Sequence, residues 1–448
     1  MSNKNNLIEG KILSSLIRFA FPVFLALFLQ ALYGGVDLFM VGQYAEKADI
    51  SGVSLGSLIT QTMTIFVTGL SMGITILVGK KIGEKKPKLA GKSIGSGICL
   101  FAVVTVLLTI VMILCAGIFA RLISTPKEAV SQTVNYIKIC GAGTVFIVAY
   151  NIIGSIFRGI GDAKTPLIVV AIACVTNIIG DFLFVAVFHM GAAGAAIATI
   201  SAQCVSVIIS ILIIAKNKNL PFHLSRKDIR FDKGIIITEL KLGMPIALQD
   251  TLTGLAFLFI GSIINTFGLD ASAGVGIAEK INSFLWLVPS ALMQSMSVFV
   301  AQNLGAGRPD RAKKALKYGL LTAFIIGLIF SYLSFFHGDI LAMAFNKDAD
   351  VIAPAHIYMK ATGIACLFSS VLFCFTGYFN GCGKTMFVMI QGLLGSFLVR
   401  IPVAYIMHKM DGATIFHIGL GMPIATILQL ILCIILYFYI TRHTEKSI

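Results

Sequence analysis

Three acidic residues, Asp37, Asp181 and Asp250, lie inside long apolar stretches of this chain. A charged carboxylate at the centre of a bilayer costs roughly 2.5–3.5 kcal/mol even on insertion scales. Such a group must pair, face a polar cavity or hold a proton, and its natural chemistry is the binding of ions. In Asn177-Ile-Ile-Gly180-Asp181 the amide and the carboxylate stand four residues apart, on one helical face, and Gly180 leaves room beside them. Tyr33 and Gln30 precede Asp37 by four and seven residues, again on one face. Oxygen donors of this kind suit a hard cation such as Na⁺ at Asp37, Asn177 and Asp181, or a proton on a buried acid. The same Asn177–Asp181 pair could instead lock two helices by a hydrogen bond, worth about 0.6 kcal/mol on average. Asp250 follows Gln249 near the cytoplasmic end of its helix and reads either as a substrate contact or as a solvated helix end. Arg400, beside Pro402, is expected to pair with a carboxylate or to meet substrate.

These residues need elements to hold them inside a membrane. The chain has 448 residues, of which 57% are hydrophobic and 12% charged, and its mean hydropathy is +0.93. Soluble domains carry about 25% charged residues, so this composition belongs to a polytopic membrane protein. Twelve apolar runs are each long enough to cross about 30 Å of hydrocarbon as a helix. They fall near 13–42, 50–78, 94–118, 134–157, 166–189, 191–215, 239–266, 273–301, 315–336, 355–379, 385–408 and 417–440. Nothing alternates as a transmembrane β-strand would.

The net charge of +15 follows from topology rather than from a nucleic-acid partner. Basic clusters follow the second run (Lys80, Lys81, Lys85, Lys86), the sixth (Lys216, Lys218, Arg226, Lys227) and the eighth (Arg308, Arg311, Lys313, Lys314). The positive-inside rule makes that side cytoplasmic, and an even number of spans puts both termini there. The nine cysteines are scattered without a Cys-x-x-Cys pair and read as small buried hydrophobes. The segment around Lys384 lacks the leading glycine of a phosphate loop, and the histidines show no metal spacing. No nucleophile or cofactor motif marks an enzyme. The 16 methionines and 33 phenylalanines fit a pliant substrate chamber as well as a lipid-facing surface.

The chain also repeats itself. Pro22 after Arg18-Phe-Ala-Phe matches Pro245 after Lys241-Leu-Gly-Met, an offset of 245 − 22 = 223. Phe157-Arg-Gly159-Ile-Gly161 matches Phe379-Asn-Gly381-Cys-Gly383, an offset of 383 − 161 = 222, and Gly83 matches Gly305. Ile197-Ala-Thr199 echoes Ile424-Ala-Thr426. The expected fold is an all-α membrane protein of twelve helices in two pseudo-symmetric six-helix lobes, 1–215 and 239–448, joined by a cytoplasmic linker at 216–238. Pro22 and Pro245 stand early in the first helix of each lobe, where a missing amide donor permits a bend or a moving hinge. Gly34-Gly35 suits close approach or local bending near Asp37.

Over essentially its whole length the chain resembles the multidrug and toxic compound extrusion (MATE) family, within the group that also holds polysaccharide exporters and lipid flippases. Twelve spans, two lobes, the Pro22–Asp37 helix, the Gly83 and Gly305 loops and Arg158-Gly159-Ile-Gly161-Asp162 carry that resemblance, and Asn177-x-x-x-Asp181 looks like its DinF-type branch. The resemblance implies an antiporter that exports organic, often cationic, molecules in exchange for H⁺ or Na⁺, with no cofactor. It places the ion site on Asp37, Asn177, Asp181 and Thr199, with Gln30, Tyr33 and Asn151 lining the same cavity. The NorM-type branch has acidic ligands in its second lobe; the corresponding positions here are near Thr253 and Ser369, and neither is acidic. Small organic substrates and the plasma-membrane bilayer are the expected partners, with the chain working as a monomer. A flippase for lipid-linked precursors is the alternative, although such a protein should line its cavity with several basic residues.

Overall fold

Backbone groups within hydrocarbon find no water, so a chain this apolar must satisfy them inside helices. The computed structural model describes residues 7–217 and 220–445, and every regular element among them is helical. Eleven helices are long and apolar enough to cross a membrane. A twelfth span arises if the pair Lys127–Ala142 and Thr144–Gly159, bent by 54°, crosses as one. The all-α membrane fold read from the sequence is therefore the one observed.

The first half runs α1 (Ile12–Tyr44), α2 (Lys47–Gly83), α3 (Pro87–Leu114), α4 (Ala116–Leu122), α5 (Val130–Ala142), α6 (Thr144–Gly159), α7 (Lys164–Asp181) and α8 (Gly191–Lys216). The second runs α9 (Lys233–Ile264), α10 (Leu269–Leu285), α11 (Leu287–Gly305), α12 (Pro309–Phe336), α13 (Gly338–Met343), α14 (Ala349–Gly381), α15 (Thr385–Leu393), α16 (Ile401–His408), α17 (Ile415–Gly419) and α18 (Gly421–Glu445). Two short π-helical segments interrupt this pattern, Phe182–Val187 after α7 and Leu394–Arg400 after α15. Pro22 and Pro245 both sit inside continuous helices, α1 and α9.

By packing, the chain divides into two compact units. One takes Phe21–Ala247 and Ala301–Arg308; the other takes Glu9–Ala20, Leu248–Val300 and the chain from Pro309 on. Helices α1 and α9 therefore each contribute one end to each unit. Within the first unit α2 is an inner helix, 72% of its most apolar stretch being buried, whereas only 17% of the corresponding stretch of α3 is. Its core gathers Val67, Leu70 and Ile74 of α2 with Ile94 and Phe101 of α3 and Ile152 of α6. In the second unit α14 plays the inner part, and Tyr358 and Met359 pack with Ile260, Val275 and Ile418.

The basic stretch after α8 is more ordered than a plain linker. Ser225 caps a single 3₁₀ turn at Arg226–Asp228, and Ser96 of α3 donates to the Arg230 carbonyl at 3.2 Å. Helix α9 then starts at Lys233, six residues before the apolar run expected at 239. The Asp232 side chain accepts from the amides of Gly234 and Ile235 at 3.1 and 3.2 Å, so a capping acid begins the helix before hydropathy can register it.

Candidate functional site

Helix α7 carries Asn177 and Asp181 one turn apart, and neither side chain reaches the surface. At Gly180 a side-chain carbon would come within 3.0 Å of the Ala198 Cβ, so the glycine lets α7 and α8 approach closely. That approach delivers Thr199 of α8, whose Oγ1 donates to the Asp37 Oδ2 of α1 at 3.1 Å. Asp181 and Asn177 complete the ring around the Asp37 carboxylate. The four residues assigned to one ion site are thus brought together from three helices.

Their hydrogen bonding is incomplete. Apart from the Thr199 contact no aligned bond joins them, and Asp37 Oδ1, both side-chain polar atoms of Asn177 and both Asp181 oxygens are buried without a partner. Buried polar groups are almost always satisfied, so five such atoms in one place single this ring out as a candidate binding site. No basic side chain is among the groups that act on the two carboxylates. Two adjacent acids in a poorly solvated place cannot both stay charged unless a proton or a cation stands between them. The π-helical segment begins directly after Asp181, and π-bulges of this kind recur at functional sites.

The lining residues fall around this centre. Tyr33 faces Asp37, Tyr150 and Gln203, while Gln30 donates to the Tyr150 hydroxyl at 2.8 Å. Asn151 accepts from Thr68 Oγ1 at 2.9 Å and donates to the Ile147 carbonyl at 2.8 Å, which fixes α6 against α2. Tyr136, Tyr150 and Gln203 are members that spacing did not single out. Tyr136, which meets Thr199, carries one legible signal: it matches Tyr358 at the repeat offset of 222. The Gly34-Gly35 pair does not serve close approach, because nothing lies within 4 Å of where a side chain would begin.

In the second unit the structure places two residues differently from the sequence reading. Asp250 is exposed and stands in the middle of α9, not near its end, because the helix starts at Lys233. Arg400 is buried but meets no carboxylate directly. Its guanidinium lies over the Phe257 ring, 3.9 Å from the centroid, and reaches the Tyr358 hydroxyl. Tyr358 in turn donates to Glu279 Oε1 at 2.7 Å. Tyrosine thus relays the pairing between arginine and acid. Glu279 of α10 was overlooked in the sequence, since it stands within a turn of Lys280 and Asn282 and reads as a polar helix end. Among the described residues no three His, Cys, Asp or Glu side chains gather as a metal cluster.

A doubled helical membrane fold with two buried acids in one ring has the build of a transporter, and the relatives of the chain name that class. The MatE family model matches residues 22–183 and, a second time, 245–406, so the chain belongs to the MatE family. The chain is 25% identical over 414 residues to the probable multidrug resistance protein YpnP of Bacillus subtilis, covering 92% of each chain. It is likewise 25% identical over 420 residues to the multidrug export protein MepA of Staphylococcus saprophyticus, covering 91% of this chain and 89% of that one. Among solved structures, it shares the fold of a MOP superfamily transporter from Pyrococcus furiosus at a TM-score of 0.92 and 18% identity, with 98% of each chain aligned. That protein is described by a reversed polarity of its binding pocket that suggests a different function, a reminder that substrate does not follow from fold.

Proposed function

We propose that this chain is a multidrug efflux antiporter of the plasma membrane, exporting organic, cationic amphipathic compounds in exchange for H⁺ or Na⁺. The observation that carries this reading is the ring of Asp37, Asn177, Asp181 and Thr199, in which only the Thr199–Asp37 Oδ2 bond satisfies a buried oxygen. The names of the relatives, multidrug resistance and multidrug export proteins, support the substrate class. Both termini face the cytoplasm, where the basic loops lie, and the monomer is the working unit.

An incoming proton or Na⁺ engages Asp37 and Asp181 and removes their mutual repulsion. Helix α1 then bends at Pro22, where the absent amide leaves the Arg18 carbonyl without its helical donor. This change weakens the hold on a cationic substrate and favours release outside. Only a ligand that binds the two states unequally can drive such a shift, and a carboxylate pair has that property toward cations. The lipid-flippase alternative gains no support from Arg400, which is engaged by Phe257 and Tyr358. Expression of Asp37→Asn in a drug-sensitive host tests the proposal: resistance should vanish while membrane abundance stays normal. Wild-type resistance in that variant would end it.

A further inference from the structure

A third buried acid lies outside this site. Glu239 of α9 is 1% exposed, and neither of its carboxylate oxygens has a hydrogen-bond partner. It stands on the face of α9 that continues through Gly243 and Ala247, each one turn further on. That face packs on Gly69 and Gly73 of α2. A side-chain carbon at Gly73 would meet the Glu239 carbonyl at 2.5 Å, and one at Gly69 would meet the Ala247 backbone at 2.6 Å. At Gly243 it would strike the Leu70 carbonyl. Small residues four apart on both helices thus build a seam with backbone against backbone, the arrangement that membrane helices use for their closest contacts. The Glu239 carboxyl sits at the end of this seam, near Gly97 of α3 and over Ile74 of α2.

No charged group answers it. Among the described residues no hydrogen-bond donor reaches its carboxylate oxygens. Lys80 and Lys81 of α2 lie two turns beyond Gly73, Lys92 of α3 lies five residues before Gly97, and on α9 itself Lys241 is exposed. The matching position of the first repeat, 239 − 223 = 16, is Leu16, which is wholly buried. The repeat therefore accepts a hydrocarbon side chain at this place and needs no acid for packing. An ionised carboxylate here, buried and without a protein partner, would be costly, whereas a neutral carboxylic acid fits.

The structure assigns to Glu239 a proton-binding site, separate from the Asp37–Asp181 pair, that closes the α2–α9 seam when protonated and releases it when ionised. The proton comes from and returns to water on the side of the basic loops. Because α9 enters the second packing unit right after Ala247, the seam determines whether the first fifteen residues of that helix stay seated on α2. Acidic conditions close the contact and alkaline conditions loosen it.

Hydrogen exchange on the purified full-length protein in nanodiscs, corrected for intrinsic rates, tests this at about pH 6 and about pH 9. In the wild type, protection of residues 233–247 and 66–77 should fall at least about tenfold at the higher pH. Glu239→Gln and Glu239→Leu, the second borrowing the residue of the other repeat, should keep full protection at both. The Asp37→Asn, Asp181→Asn double variant should keep the wild-type dependence, since the proton acts elsewhere. Equal protection of the wild type at both pH values would overturn the assignment. So would a pH dependence that survives in both Glu239 variants, or one lost in the Asp37/Asp181 double variant.

Discussion

The two halves of the chain carry polar clusters at related places, and they solve the problem of charge in a membrane in opposite ways. In the first, Asp37 and Asp181 share a ring with Asn177 and Thr199, and most of its oxygens have no partner. In the second, Arg400 sits on Phe257 and reaches Glu279 through Tyr358, so acid and base are both present and connected. The repeat makes the contrast sharper. Tyr136, beside Thr199, corresponds to Tyr358 at an offset of 222, and Asn177 falls opposite Arg400 at the family offset of 223. Where one half gathers two acids without a base, the other supplies a tethered guanidinium. A scaffold duplicated in sequence thus carries an unpaired acid cluster in one half and a connected acid–base cluster in the other.

That division makes the variants separable. Asp181→Asn should have the largest effect, cutting ion-driven efflux at least about 100-fold while leaving the melting temperature unchanged or raised, because it removes an unsatisfied charge. Flux and thermal unfolding measured on the same preparation check it. Arg400→Met should do the reverse, costing about 2–3 kcal/mol of stability through lost cation–π contact and hydrogen bonding, with ion dependence of any remaining flux unaltered. Thr199→Val should weaken apparent ion affinity about five- to tenfold, the worth of one ordinary hydrogen bond, without changing the maximal rate. The smallest change is expected for Glu279→Gln, which still accepts from Tyr358; its efflux should stay within about threefold of wild type. A Glu279→Gln defect as deep as that of Asp181→Asn would erase the distinction between the lobes.

Much of this was legible in the residues before any coordinates. Spans declare themselves by hydropathy, and Asn177 and Asp181 share a face by spacing alone. Two polar stripes on helices of one lobe suggested that Asp37 shares a cavity with that pair, whereas the place of Thr199 came only from family resemblance. What escaped did so for physical reasons. Glu239 drew no notice because it opens the apolar run at 239, whereas α9 begins six residues earlier, under a cap made by Asp232 that an average over apolarity does not see. The same early start moved Asp250 from a helix end to mid-helix. Arg400 was expected beside a carboxylate, but a tyrosine hydroxyl bridges the gap, and intermediaries of that kind leave no spacing rule. Gly34-Gly35 suggested tight packing, whereas glycine pairs also occur where a helix faces open space.

The account stands or falls on flux through the purified transporter. Wild-type protein and the Asp37→Asn, Asp181→Asn double variant should be reconstituted in liposomes loaded with a fluorescent organic cation, and a Na⁺ gradient and a pH gradient imposed separately. The wild type should export dye only under one of the two gradients, and the double variant under neither. Export by the wild type that ignores both gradients, or gradient-driven export by the double variant, would contradict the ion-exchange role of the first-lobe acids.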